Sequence, residues 1–307
     1  MKISIITPTF NEIENIENIY YEIKQKFSEI NCEYEHLIID NNSTDGTTDK
    51  IKQLAEVDKN LKIIVNAKNY GHIRSPFHAL LQTNSDAVIL MASDFQDPIE
   101  MIPKYIEEWK KGKKIVLGEK TSSGESKFKY SVRTLFYNFL NKISEFELPK
   151  NTTGSGIFDK TIIEKLKKIK DPYPYFRGLI TELGEDITTL QFKQPVRKSG
   201  ITKNNLFTLY DIGMLGIVKH SRRPLRFMTL LGFSASLISF IVGVIYLLYK
   251  LFFWNSFSLG LAPIIIGIFF ISAVQITLLG LVGEYIGVIL LHQRNMPLVI
   301  EKERINF

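Results

Sequence analysis

Residues 90–100 read LMASDFQDPIE, an apolar run that gives way to Asp94 and Asp97 with Gln96 between them. Oxygen donors at the end of a buried strand suit a hard divalent cation. Mg2+ and Mn2+ sites of this kind take only one or two ligands from protein when substrate phosphates and water supply the rest. Asp97 also stands where it would cap a helix beginning near Pro98, with proline in the first turn. Asp94 is therefore the expected metal acid and Asp97 the expected cap. Ala92 occupies the position at which one more acid would complete a cluster. A second polar run, DNNSTDGT (40–47), has the Asx and glycine density of a turn. It suits equally a site in which Asp40 accepts hydrogen bonds from a nucleotide base or ribose.

Other chemistries lack their residues. The histidines at 36, 72, 78, 220 and 292 have no zinc-ligand spacing, and His72 and His78 do not share an i,i+4 face. The sequence holds neither a Walker A motif nor G-x-G-x-x-G, and Gly154-Ser155-Gly156 is not the G-x-S-x-G of a hydrolase nucleophile. Cys32 is the single cysteine, which excludes an internal disulfide and agrees with a reducing cytosol. ISIIT near the N-terminus is too short for a signal-peptide core.

The elements that must position these acids follow from periodicity. Strands are expected at 3–10, 36–42, 62–67, 87–93 and 114–120, with helices over 13–27 and after Thr44. Continuous Val/Ile/Leu runs joined by helices predict a doubly wound α/β domain with a mostly parallel sheet covered on both faces. Ligands of such sheets gather at the carboxyl ends of the strands, where Asp40, Asn42 and Asp94 fall. Residues 125–142 read as a basic, aromatic helix suited to a membrane surface or to packing on the sheet, and 205–226 as another candidate lying along the membrane.

The last third differs in kind. Phe227–Tyr249 and Leu251–Gly283 contain no charged residue, and each exceeds the roughly 20 residues that cross a bilayer as a helix. Two spans are expected, at about 227–249 and 259–283. Lys219, Arg222, Arg223 and Arg226 precede the first, and Arg294, Lys302 and Arg304 follow the second. The positive-inside rule then puts both termini in the cytoplasm. The balance of +6 lies mostly in this stretch, beside the membrane, and the nearly neutral remainder argues against a nucleic-acid partner.

TPTFNE (7–12), DNNSTDGT (40–47), NYGH (69–72), DFQDP (94–98), PYFRG (174–178), RKSGITK (197–203) and SRRPL (221–225) stand in one order before and between these features. This ordered set with two C-terminal spans resembles the undecaprenyl- and dolichyl-phosphate glycosyltransferases of glycosyltransferase family 2. The resemblance implies a cytoplasmic GT-A domain over 1–204, a juxtamembrane segment over 205–226, two spans within 227–291 and a cytoplasmic tail over 292–307. It implies inverting transfer of a sugar from a nucleotide-sugar donor, a UDP-sugar, to polyprenyl phosphate, and a homo-oligomer. By position, Pro8, Phe10, Glu12, Asp40, Asn42 and Asn69 would hold the nucleotide sugar. Asp94 and Gln96 would hold Mg2+ or Mn2+ on its diphosphate. Lys120, Lys129 and Arg133 would hold the acceptor phosphate, while Arg177, Arg197 and Lys203 would add cations over the site. Two departures stand out. The family pattern has Asp where this chain has Ala92, and many members carry Asp-Phe-Arg where it has Gly154-Ser155-Gly156. These changes leave room for two other outcomes, a sugar hydroxyl of a lipid-linked glycan as acceptor, or an inactive membrane scaffold.

Overall fold

The computed structural model describes residues 1–122, 149, 152–195, 214–216, 218, 219, 221, 223–253 and 261–307. Lys129, Arg133, Arg197 and Lys203, with the helix expected at 125–142 and most of the 205–226 segment, lie outside the described residues.

Among the described residues, eight strands form one sheet in the order β7-β5-β6-β4-β1-β2-β3-β8. They are β1 (Lys2–Thr9), β2 (Glu33–Asp40), β3 (Leu61–Asn66), β4 (Ala87–Leu90), β5 (Ile115–Ser122), β6 (Thr152–Asp159), β7 (Ile187–Lys193) and β8 (Glu301–Ile305). β1 pairs in parallel with β2 and β4, β2 with β3, and β5 with β7; β6 runs antiparallel between β4 and β5, and β8 runs antiparallel to β3. The helices are α1 (Ile16–Ile30), α2 (Thr47–Val57), α3 (Gly71–Leu81), α4 (Met101–Lys110), α5 (Lys160–Lys167), α6 (Phe176–Glu182), α7 (Arg223–Phe252) and α8 (Leu261–Gln293).

The central strands β1 to β4 are apolar on both faces because each face carries a helical layer. Ile3, Ile5, Ile38, Ile63 and Ile89 pack with Ile19, Ile23 and Phe27 of α1, Ile51 of α2 and Ile102 of α4. Their strand neighbours Ile6, Leu37, Ile39, Ile64 and Val88 pack on the other face with Phe77 of α3, Ile162 of α5 and Ile180 of α6. Successive side chains point to opposite faces, so one unbroken apolar run supplies two cores.

Three sequence expectations need correction. Asp97 caps no helix: α4 begins at Met101, after a turn in which the Met101 N–H donates to the Pro98 carbonyl. β4 ends at Leu90, so Asp94 sits in the turn beyond the strand rather than on it. Residues 301–305, expected as tail, form edge strand β8. EKERI lacks the apolar run by which strands were recognised, and such charges are what a sheet edge carries.

α7 and α8 are 30 and 33 residues long, and both hold stretches apolar enough to cross a membrane. Phe233, Phe240 and Phe269 are 70%, 69% and 73% exposed, whereas the isoleucines of β1 to β4 are 0% exposed. α8 runs ten residues past the expected end of the second span, through Glu284 to Gln293. The Tyr285 hydroxyl donates to the Ser221 carbonyl at 2.8 Å, tying α8 to a residue two positions before α7.

Candidate active site

The carboxyl ends of β1, β2 and β3 are joined by a polar mesh. In the loop after β1, the Asn11 N–H donates to Ser43 Oγ at 2.8 Å, and Asn11 Oδ1 accepts from the Thr44 N–H at 2.8 Å. The Glu12 N–H donates to Thr47 Oγ1 at 3.0 Å, and its carboxylate accepts from Asn15 Nδ2 at 2.7 Å. The Ile13 N–H donates to Asp45, whose carboxyl is held below the usual range despite partial burial by hydrogen bonds from Thr47 and Ile13. Asp40 is fully buried, and its carboxylate accepts from the Ser43 N–H and from the hydroxyls of Ser43 and Thr48. It shapes the turn from within. Asn42, two residues on, takes φ 64°, a left-handed conformation that asparagine tolerates best after glycine.

Asn41, which sequence reasoning passed over in favour of Asn42, is the hub of this region. Its Nδ2 donates to Asn69 Oδ1 at 2.9 Å and the Gly71 carbonyl at 3.2 Å. Its Oδ1 accepts from Asn66 Nδ2 at 3.0 Å and the Tyr70 N–H at 2.8 Å. Asn69 Oδ1 also accepts from the Gly71 N–H, so its side chain locks the NYGH turn onto β2.

The turn after β4 is built differently. Burial alternates strictly from Met91 to Ile99: Met91, Ser93, Phe95, Asp97 and Ile99 are buried, while Ala92, Asp94, Gln96 and Pro98 are half-buried. Asp94 and Gln96 thus share the accessible side with Ala92, and Asp97 belongs to the inner side with Phe95. The signal was present in the sequence, where apolar residues recur at 91, 95 and 99 on one parity. Phe95 takes φ 57°, and it is the only non-asparagine among the non-glycine residues with positive φ in the described chain. A bulky residue in that region costs on the order of 1–3 kcal/mol, and such strain persists where the surroundings over-determine it. Phe95 is held by burial in the core layer under α4.

Each residue of the turn is fastened elsewhere. The Ser93 hydroxyl donates to the Pro8 carbonyl at 3.1 Å, joining the turn to β1. Asp94 Oδ1 accepts the Gln96 N–H at 3.2 Å. Gln96 Oε1 accepts from Nε2 of Gln194, one residue beyond β7, at 2.7 Å. Asp97 accepts a short hydrogen bond from the Ser155 hydroxyl of β6. Burial, then the Asp97 charge, raises the Tyr105 pKa well above its usual value. Gln194 and Ser155 carry no motif of their own, and only the sheet order brings them here.

The Gly154-Ser155-Gly156 departure has a backbone reason at one position. A Cβ on Gly156 would lie 2.1 Å from the Val116 carbonyl oxygen, closer than any side chain allows. Gly154 has φ 85°, and a Cβ there would stand 3.9 Å from Arg177 Nε. Arg177 of α6 therefore lies beside β6 at the site. Tyr175 of PYFRG packs with Ile73, the residue after NYGH, so the two motifs lie side by side. Lys120 lies on β5 opposite Phe192 of β7 and is half-buried.

The donor set around Asp94 is all oxygen and so fits Mg2+ or Mn2+ rather than a soft metal. Among the described residues no group of three His, Cys, Asp or Glu converges. The protein's share of a metal shell there would be one accessible carboxylate with Gln96, a partial shell that would leave positions for ligands from a substrate.

Residues 4–179 match Glycosyl transferase family 2. The chain is 31% identical over 306 residues to a bactoprenol glucosyl transferase of Shigella phage SfX, covering 99% of this chain and 100% of that one. It is 30% identical over 304 residues to a prophage bactoprenol glucosyl transferase homolog of Escherichia coli K12, covering 98% and 99% of the two chains. Among solved structures, glucosyl-3-phosphoglycerate synthase from Mycobacterium tuberculosis, in complex with Mn2+, UDP and phosphoglyceric acid, has a similar fold. The TM-score is 0.51 at 18% identity, over 71% of this chain and 76% of that one. The sheet order, the Asp94 turn and these likenesses agree: the chain is a GT-A glycosyltransferase and belongs to glycosyl transferase family 2.

Proposed function

We propose that this enzyme is anchored in the cytoplasmic membrane by α7 and α8 and moves a sugar from a UDP-sugar to polyprenyl phosphate, with inversion at the anomeric carbon. The observation that carries this reading is the path of the chain. After Ser221 it forms two long helices that expose their apolar side chains, and then it returns to the catalytic sheet as β8. Two crossings bring the chain back to the side it left, so both termini and the site share the cytoplasmic face, where the phosphate of a lipid acceptor emerges. The full-length likeness to bactoprenol glucosyl transferases supports the same acceptor class.

In this reading Pro8, Phe10, Glu12, Asp40, Asn42 and Asn69 form the nucleotide side, with Asp40 and Asn69 acting through the loops they hold. Asp94, with Gln96, would hold Mg2+ or Mn2+, which when bound offsets the charge of the departing diphosphate. Arg177 of α6, with Arg197 and Lys203, stabilises negative charge as the leaving group separates. Lys120, Lys129 and Arg133 position the acceptor phosphate. A phosphate monoester has its second pKa near 6 and is largely dianionic at neutral pH. Its oxygen therefore attacks the anomeric carbon without a general base, the new C–O bond forming as the bond to the diphosphate breaks and UDP leaves. Positioning is what the protein must supply. A phosphate acceptor thus needs no general base, whereas a hydroxyl acceptor would need one.

The test is to incubate the purified full chain with polyprenyl phosphate and a panel of labelled sugar nucleotides, with Mg2+, Mn2+ or a chelator. A glycolipid of inverted anomeric configuration with one donor, lost on chelation, is expected. Failure with every donor would sink the proposal, and UDP binding without turnover would point to a scaffold.

A further inference from the structure

A cleft of about 470 Å3 lies where the end of α8 meets the β3–β8 edge of the catalytic domain. Its wall carries Lys68, Arg74 and Arg294, with Tyr70, Leu291 and Met296 beside them. Lys68 and Arg74 both stand over the Tyr70 ring, their charged groups 5.2 Å and 5.1 Å from its centroid. Among the described residues none of the three cations forms a salt bridge. Arg74 spends one nitrogen on the Pro297 carbonyl at 2.7 Å, while its Nε is buried and meets no acceptor among the described residues. The two acids adjacent in sequence to the cleft wall are already engaged: Asp171, beside Pro172, by Lys219 at 2.6 Å and His292 at 3.5 Å, and Glu301, beside Ile300, by His78 and Arg304. Three unneutralised cations around one cavity, with a buried donor left over, form an anion site. Their number matters, because the carboxyl end of α8 brings its own partial negative charge to the same place.

We infer that this cleft binds the phosphodiester headgroup of an anionic glycerophospholipid, resident at the membrane surface. The inference rests on the reading of α8 as a membrane span, which puts Leu291 of its last turn and Arg294 just beyond it at the level of the headgroups. Leu291 and Met296 then meet the glycerol and upper acyl carbons while the cations take the phosphate. The reacting lipid is a different occupant. β3 lies three strand steps from β4, roughly 14 Å at a spacing of about 4.8 Å per step, so a phosphate here is too far from the Asp94 turn to receive the sugar. A headgroup in the cleft joins the 67–74 segment, which contains the NYGH turn of the nucleotide side, to the end of the second span.

Native mass spectrometry of the full chain released from detergent tests this, with phosphatidylglycerol, phosphatidylcholine or undecaprenyl phosphate added in turn. The wild-type chain should retain one phosphatidylglycerol at a concentration at least tenfold below that needed for phosphatidylcholine. Arg74→Gln combined with Arg294→Gln should remove that preference, and Lys302→Gln, a cation of β8 outside the cleft, should keep it. Arg294→Gln alone alters an exposed side chain, so its severalfold loss is read on a chain whose core is untouched. Arg74→Lys should retain most of the binding. Equal retention of the two phospholipids, or a double variant that holds phosphatidylglycerol like the wild type, would overturn the inference. Preference for undecaprenyl phosphate over phosphatidylglycerol would overturn it too, making the cleft an acceptor site. Alkaline carbonate extraction of membranes reads the spans separately: release of the protein would refute the spans while leaving the detergent measurement to judge the cleft.

Discussion

The two sides of the site are held by opposite means. On the nucleotide side, loops after β1, β2 and β3 satisfy one another through short polar side chains, with Asn41 and Asp40 saturated by close neighbours. On the transfer side, a strained turn at Phe95 is held from outside, by Pro8 of β1, Ser155 of β6 and Gln194 beyond β7. The first arrangement forms from residues within the first 75 of the chain. The second exists only once β6 and β7, far later in the chain, have joined the sheet. In the proposed reading a substrate-binding platform is thus separable from the machinery that would use it, and substitutions on the two sides should fail differently.

The largest effect expected is chemical. Asp94→Asn should lower kcat by about 10^2–10^3-fold, the loss typical of removing one electrostatic stabiliser of a transition state. UDP binding measured by calorimetry without metal should stay within a few-fold of wild type. Loss of both together would erase the distinction between the sides. Asn41→Ala should do the reverse. It leaves the buried Asn66 amide and the Asn69 side chain short of partners, and about 1–3 kcal/mol per unsatisfied group is expected. The melting temperature should fall by several degrees and UDP affinity with it, while residual turnover at saturating donor remains. An unchanged melting point would show that the hub is not one.

Acid should strike the nucleotide side as well. His36 on β2 is buried, donates to or accepts from Thr7 of β1 at 2.9 Å, and has a second ring nitrogen without a partner among the described residues. Burial pushes its pKa down to about 3. The unfolded chain takes up this proton below about 6.5, while the folded chain refuses it until about 3. Stability is therefore full above 6.5 and should drop by up to about 1.4 kcal/mol per pH unit as pH falls through that window. Unfolding followed from pH 7 to 4 in wild type and His36→Gln checks this, since the variant should show a shallower decline. The smallest effect is expected from Gln194→Ala, which frees the Gln96 amide. One hydrogen bond of about 1 kcal/mol corresponds to a roughly fivefold drop in kcat, with stability nearly unchanged. A collapse of the fold would mean that Gln194 supports the sheet rather than the turn.

What could be read from sequence follows the same division. β1 to β5 announce themselves by Val/Ile/Leu runs, because both faces of each strand are buried. β6 and β7 do not: TTGSGIFD is rich in glycine and ITTLQFK leaves half its side chains accessible. The accessible acid Asp94 was legible, since acids after a buried strand are few. The inner acid Asp97 was misassigned to a cap because proline follows it, although the parity of Met91, Phe95 and Ile99 places it inside. Asn41 could not be told from Asn42, since which of two adjacent asparagines turns inward depends on where β2 ends.

β8 carries a consequence for how the molecule is made. The edge of β3 that it covers, Ile63 to Asn66, presents unpaired backbone groups until β8 arrives. In chain order β8 comes after both apolar helices, so the edge stays open throughout their synthesis and placement. Lys52 and His78 then clasp Glu303 and Glu301 of the arriving strand, and Asn306 takes the Ala55 and Leu61 carbonyls. The sheet is sealed last, by a segment that reaches it only when the chain between has settled. The two ends of the chain's described sheet edge are thus joined across some 235 residues, and the cover of β3 depends on everything made in between.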